Sequence, residues 1–176
     1  VFRGGEGSTG AIYNDGGTNS FAGNITLAAN SSIGSREGTL TLSGVVSDGT
    51  GTFNLTKVGD GVIDLSNSGN NWNGTTTIAD GVLRISSNSN ALAGGFTTNG
   101  YTGGNLTLAG GVLEIGVATT FSRQLGTGSD QVQWTGDGGF SAFGANRTVT
   151  LTNSGGTAGG ALTWNAGSFV PTGNAL

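Results

Sequence analysis

Apolar residues fall along this chain in short alternating runs, not at helical spacing. Ile25-Thr26-Leu27, Leu40-Thr41-Leu42, Phe53-Asn54-Leu55, Val62-Ile63-Asp64-Leu65, Thr76-Thr77-Ile78 and Val82-Leu83-Arg84-Ile85 set the pattern. Leu106-Thr107-Leu108, Val112-Leu113-Glu114-Ile115, Val132-Gln133-Trp134, Val149-Thr150-Leu151 and Ala161-Leu162-Thr163-Trp164 continue it. Each run is bounded by Gly, Asn, Asp or Ser, as strands between tight turns are. Gly recurs at short intervals and would interrupt any helix. The pattern predicts an all-β chain of short strands.

The strands repeat. Gly74-Thr-Thr-Thr-Ile-Ala-Asp-Gly-Val-Leu-Arg-Ile-Ser86 lies over Gly104-Asn-Leu-Thr-Leu-Ala-Gly-Gly-Val-Leu-Glu-Ile-Gly116, with seven of 13 positions identical at an offset of 30. Gly61-Val-Ile-Asp-Leu-Ser66 aligns with Gly81-Val-Leu-Arg-Ile-Ser86 at an offset of 20. Thr39-Leu-Thr-Leu-Ser43 fits the same frame one repeat earlier, with Thr39 aligned to Val62. Repeats of this length point to a β-solenoid, whose coils bury their apolar faces on their neighbours. Unequal offsets then reflect loops of unequal length, and 87–103 reads as a loop excursion within a single domain over 1–176. In this frame Asp64, Arg84 and Glu114 occupy equivalent outward positions on successive coils. Stacking at about 4.8 Å would make them a ladder of alternating charge that helps fix register.

Composition narrows the function. Gly, Thr, Ser and Asn fill 96 of 176 positions, charge is confined to six basic and ten acidic side chains, and Cys, Met and His are absent. Without His or Cys the usual zinc, haem and iron–sulfur ligands are missing, and no Ser-His-Asp or Cys-His triad can be assembled. No disulfide can form, the scattered basic side chains make no nucleic-acid footprint, and no apolar run reaches membrane-spanning length. No cofactor, metal or conventional catalysis is expected. The sequence opens without a signal peptide and ends without an obvious terminal strand, so a segment of a longer or processed protein is expected.

Leu55-Thr-Lys-Val-Gly-Asp-Gly-Val-Ile-Asp-Leu-Ser66, followed by Asn71-Trp-Asn-Gly-Thr-Thr-Thr-Ile-Ala-Asp-Gly-Val-Leu-Arg-Ile85, resembles the autotransporter-associated β-strand repeat. That pattern reads L-T-K-x-G-x-G-x-L-x-L-S, then N-x-Y-x-G-x-T-x-I-x-x-G-x-L-x-V, with Trp72 standing where Tyr is usual. The resemblance implies a right-handed parallel β-helix, here of roughly six to eight coils, in an extracellular or bacterial cell-surface protein. It implies a structural, adhesive or matrix role, with partners drawn from the rest of a long parent chain, a second copy stacked end to end, or a glycan or host surface.

Other chemistry has to be weighed against structural use. Asp48, Asp60, Asp80 and Asp137 each precede Gly and read first as turn residues. Asp130 and Asp137, with Trp134 between them, form the single neighbourhood suited to a carbohydrate-facing patch. A polysaccharide-active enzyme would need two carboxylates sharing a groove. Gly59–Leu65 resembles one unit of a calcium-binding roll, but without the tandem repetition that shares ions between turns. The pairs Thr39/Thr41, Thr75/Thr77, Thr148/Thr150 and Thr150/Thr152 place hydroxyls on one strand face, which keeps an ice-binding solenoid as a minor alternative. Trp72, Trp134 and Trp164 read as packing residues before sugar platforms.

Overall fold

The computed structural model describes residues 10–88, 91–96, 103–153 and 161–176. Among them, sixteen strands wind into six stacked coils, and every strand-to-strand pairing is parallel. The fold is a β-solenoid.

One face is a six-stranded sheet of β1 (Ile12–Asn14), β4 (Ser31–Ser35), β7 (Leu55–Val58), β9 (Thr76–Ile78), β11 (Leu106–Leu108) and β14 (Val132–Trp134). A second contains β2 (Thr18–Phe21), β5 (Thr39–Leu42), β8 (Val62–Leu65), β10 (Val82–Ile85), β12 (Val112–Ile115) and β15 (Gly139–Ala142). The third side is less regular. β3 (Ile25–Thr26) pairs with β6 (Val46–Ser47), and β13 (Phe121–Gln124) pairs with β16 (Val149–Thr152). A bridge from Ser47 to Asn71 carries this side onward between them.

The repeats fix the pairing. Val62 stands opposite Val82, Val82 opposite Val112, and Thr39 opposite Val62, the same alignments that the repeated segments predict. Strands β5, β8, β10 and β12 each alternate half-buried with buried, so every second side chain points into the coil. Inward residues stack in columns. Leu42, Leu65, Ile85 and Ile115 form one, all fully buried, and Leu40, Ile63, Leu83 and Leu113 form another. Full burial of each such side chain contributes about 1.5–3 kcal/mol.

Coils approach one another closely where the chain turns into the first face. A Cβ on Gly104 would lie 1.7 Å from the Gly74 carbonyl oxygen, and one on Gly74 would lie 2.1 Å from that of Phe53. These two glycines, aligned with each other by the repeat, are required by contact between backbones.

Part of the expected loop over 87–103 lies outside the described residues, but 91–96 is no exposed excursion. Ala91, Leu92, Ala93 and Phe96 are buried in the core. The Ser122 amide donates to the Phe96 carbonyl at 2.7 Å and Asn70 Nδ2 donates to that of Ala91 at 3.3 Å, so the segment occupies the third side of its coil.

The last described segment, 161–176, closes one end. Phe169 and Val170 are buried, the Trp134 amide donates to the Ser168 carbonyl at 3.0 Å, and the Gly138 amide donates to that of Ala175 at 3.1 Å. These contacts make 161–176 an aromatic plug over the coil of β14 and β15.

Candidate functional site

The outer surface of the second sheet carries the charge constellation predicted by register. Strands β8, β10 and β12 place Asp64, Arg84 and Glu114 opposite one another on successive coils. The two pairs differ. Arg84 Nε donates to Glu114 Oε2, whereas the Asp64 carboxylate accepts from Ser86 Oγ at 2.5 Å. Ser141, opposite Glu114 on β15, donates to its other oxygen at 3.3 Å. The group is not freely solvated, because the Arg84 guanidinium lies 3.7 Å from the centre of the Phe143 ring and only 15% of the Arg84 and Glu114 side chains is exposed. A cation–π contact and an ion pair hold the same guanidinium.

Two buried cations escape the sequence reading. Lys57 stands on the inward column of Ile33 and Ile78. Its Nζ donates to the carbonyls of Val58, Gly59 and Asp80, the last at 3.0 Å. Burial pushes its pKa down from the ordinary value of 10.5 to about 8, with the Asp80 and Asp60 carboxylates opposing the shift. The alternation of Leu55-Thr56-Lys57-Val58 is the available signal, since Leu55 inward requires Lys57 inward. Arg123, fully buried, donates to the carbonyls of Ala93, Gly95 and Gln131 and so ties 91–96 to the following coil. Desolvation lowers its pKa to about 10, against the pull of Asp130.

Acidic residues collect on the corner between the two large sheets. Asp15, Glu37, Asp60, Asp80 and Asp137 occupy it, all exposed, and account for half of the ten acids. The turn reading holds with one change. Gly49, Gly81 and Gly138 have positive φ after their aspartates, but beside Asp60 it is Gly59, at +76°, that does so. Asp48 does more than turn: it is 3% exposed, and its carboxylate accepts from the amides of Asn73 at 2.8 Å and Phe53 at 3.2 Å, joining two coils.

The expected carbohydrate patch is corrected. Trp134 is 3% exposed, its ring packed on Phe140 and Phe169 at 5.9 and 5.1 Å, and its Nε1 donates to the Gly138 carbonyl at 2.8 Å. An inward strand position leaves it no face for a sugar. Asp137 instead accepts from the Ala175 amide at 2.7 Å and holds the plug, while Asp130 adopts a φ of +52° in a turn. Trp72 is buried as well, and Trp164 alone of the three is open, 51% exposed beside Phe169. The four Thr pairs lie on different sides of the coil and do not stack into one array. Among the described residues no three acids converge as metal ligands, and no helix is long and apolar enough to cross a membrane.

No protein-family model, curated protein or solved structure matches the chain.

Proposed function

We propose that this chain is a rigid segment of an extracellular or cell-surface β-solenoid, built on autotransporter-type repeats and serving adhesion or matrix architecture. The observation that carries the reading is the unbroken register of both large sheets through all six coils. At about 4.8 Å per coil the stack extends roughly 25–30 Å, and its stiffness comes from backbone ladders continuous along its axis. The motif lysine, Lys57, knits the corners of two coils together through three carbonyls, which gives the repeat resemblance a structural meaning. Nothing in the reading requires turnover. Single-molecule pulling along the axis tests it. A rod segment unfolds coil by coil at high force, and a chain that extends at low force without steps would refute a load-bearing role.

A carbohydrate-binding reading has one observation in its favour, and it has moved from Trp134 to Trp164. That ring has an open face next to Asn165, Ser168 and Val170, three of the four non-glycine residues with positive φ among those described. Retention on immobilised polysaccharides that Trp164→Ala abolishes would support this reading over the purely structural one.

A further inference from the structure

On the flank of the coil stack, the outer surface of the second sheet leaves hydrogen-bonding groups unused beside an exposed ring. β12 and β15 run in register with Ile115 opposite Ala142, so Phe143 follows on beside Gly116. Gly116 has no side chain to stand in the way, and its amide donates at 2.9 Å to the carbonyl of Ile85, the residue after Arg84. The Phe143 ring leans back across it, its centroid 3.7 Å from the Arg84 guanidinium carbon. The Phe143 backbone is fixed on both sides: its amide donates to the Ile115 carbonyl at 3.1 Å, and its carbonyl accepts from Arg147 Nη2 at 3.1 Å. Phe143 is nonetheless 44% exposed. With the guanidinium against one face of the ring, the other face is the open one. A guanidinium has five N–H donors, yet among the described residues only Nε of Arg84 finds an acceptor, Glu114. Asp64 stands opposite Arg84 with no ion pair between them, and of its two oxygens only Oδ1 is engaged, by Ser86. Donors this sheltered from water favour a partner.

We infer that this flank binds a neutral sugar, a hexose unit of a polysaccharide, with its ring stacked on Phe143 and its hydroxyls shared between Arg84 and Asp64. The unused groups select that class. A cation satisfies Asp64 and leaves the terminal amino groups of Arg84 bare. An anion satisfies Arg84 but meets the repulsion of two carboxylates, Asp64 and Glu114, set against one guanidinium. A hydroxyl donates and accepts at once, so neighbouring hydroxyls answer Asp64 and Arg84 together through charge-assisted hydrogen bonds. The C–H face of the same sugar covers the open face of Phe143, an apolar contact. Because the ring is already held by its backbone bonds and by Arg84, binding does not have to order it. The site is separate from Trp164, which lies on the plug and not on the second sheet. The inference rests on the adhesive part of the reading above and names its ligand class.

NMR titration of the isotope-labelled full chain with neutral oligosaccharides of glucose, mannose and galactose tests it. Saturable shifts at the Arg84 Nε–H and the Phe143 amide are expected with at least one of them at millimolar concentration. Phe143→Ala and Asp64→Ala should each weaken that binding at least about tenfold. Phe143→Tyr keeps the platform and should stay within about twofold of the parent chain. Trp164→Ala should leave binding unchanged, and an oligogalacturonate, the acidic counterpart, should bind at least about tenfold more weakly. No saturable shift with any of the neutral sugars would overturn the inference. So would binding that survives Phe143→Ala but not Trp164→Ala, or tighter binding of the acidic oligomer. Stepwise unfolding under load reads the rod itself, so failure of the sugar site is distinguishable from failure of the rod.

Discussion

The early and late coils solve one packing problem with different materials. From β1 through β9 the first sheet repeats tightly: Ile12 stands opposite Ile33, Ser31 opposite Leu55 and Leu55 opposite Thr76. The interior there is filled mainly by Leu, Ile and Val, with Trp72 and Lys57 buried among them. From β9 onward the spacing lengthens, with Thr76 opposite Leu106 and Leu106 opposite Val132. The later coils carry a run of aromatic contacts. Phe96, Phe121, Phe140, Trp134, Phe169 and Trp164 follow one another at centroid separations of 4.7–5.9 Å. Buried aromatics are thus concentrated in the later coils, with Trp72 the exception in the earlier ones.

Trp134, where the aromatic run meets the plug, is the position on which the two regions should differ most. Trp134→Ala should cost about 3–5 kcal/mol in denaturant melts, and should also free 161–176 to proteolysis before the rest unfolds. Leu65→Ala, in the narrow coils, should cost about 2–4 kcal/mol while leaving cleavage of 161–176 unchanged. Equal release of the plug by both variants would mean the two regions are a single packing unit.

Lys57 marks the early coils through pH. Its folded pKa of about 8 lies below the ordinary 10.5. Below pH 8 both folded and unfolded chains keep the proton, and the burial cost is present in full. Between about 8 and 10.5 only the unfolded chain keeps it, so stability rises with pH. Denaturation at about pH 7.5 and about pH 9.5 should show a gain of about 1–2 kcal/mol, absent in Lys57→Met. A fall in stability over that interval which Lys57→Met removes would reverse the assignment. The outer ladder should respond least. A double-mutant cycle of Arg84→Met with Glu114→Gln should give a coupling of about 0.5–1 kcal/mol, and one with Asp64→Asn about half that or less. A larger coupling to Asp64 would mean Arg84 turns toward the earlier coil.

The repeat frame is legible in the sequence because identity at Gly, Val, Leu and Ile positions is imposed by stacking. A glycine aligned with a glycine is a backbone lying on a backbone, as at Gly74 and Gly104. What escapes is the use of polar and small residues inside. Lys57 reads as surface by type, and only the alternation of its strand places it within. The stretch 91–96 reads as a loop because Ala and Gly dominate it, yet Leu92 and Phe96 are enough to bury it once Arg123 satisfies its carbonyls. Trp134 reads as a packing residue first, although the neighbouring aspartates keep a sugar-facing patch open. Its strand parity, shared with Leu108 opposite, places it inward.

Hydrogen–deuterium exchange along the whole chain tests the asymmetry of the two ends most directly. Strong protection is expected from β4 through β14, with the 168–175 backbone protected comparably to β14 and faster exchange at Thr18 and Ser20 of the edge strand β2. Exchange of 168–175 at the rate of a free tail, with β2 protected like the central coils, would contradict it.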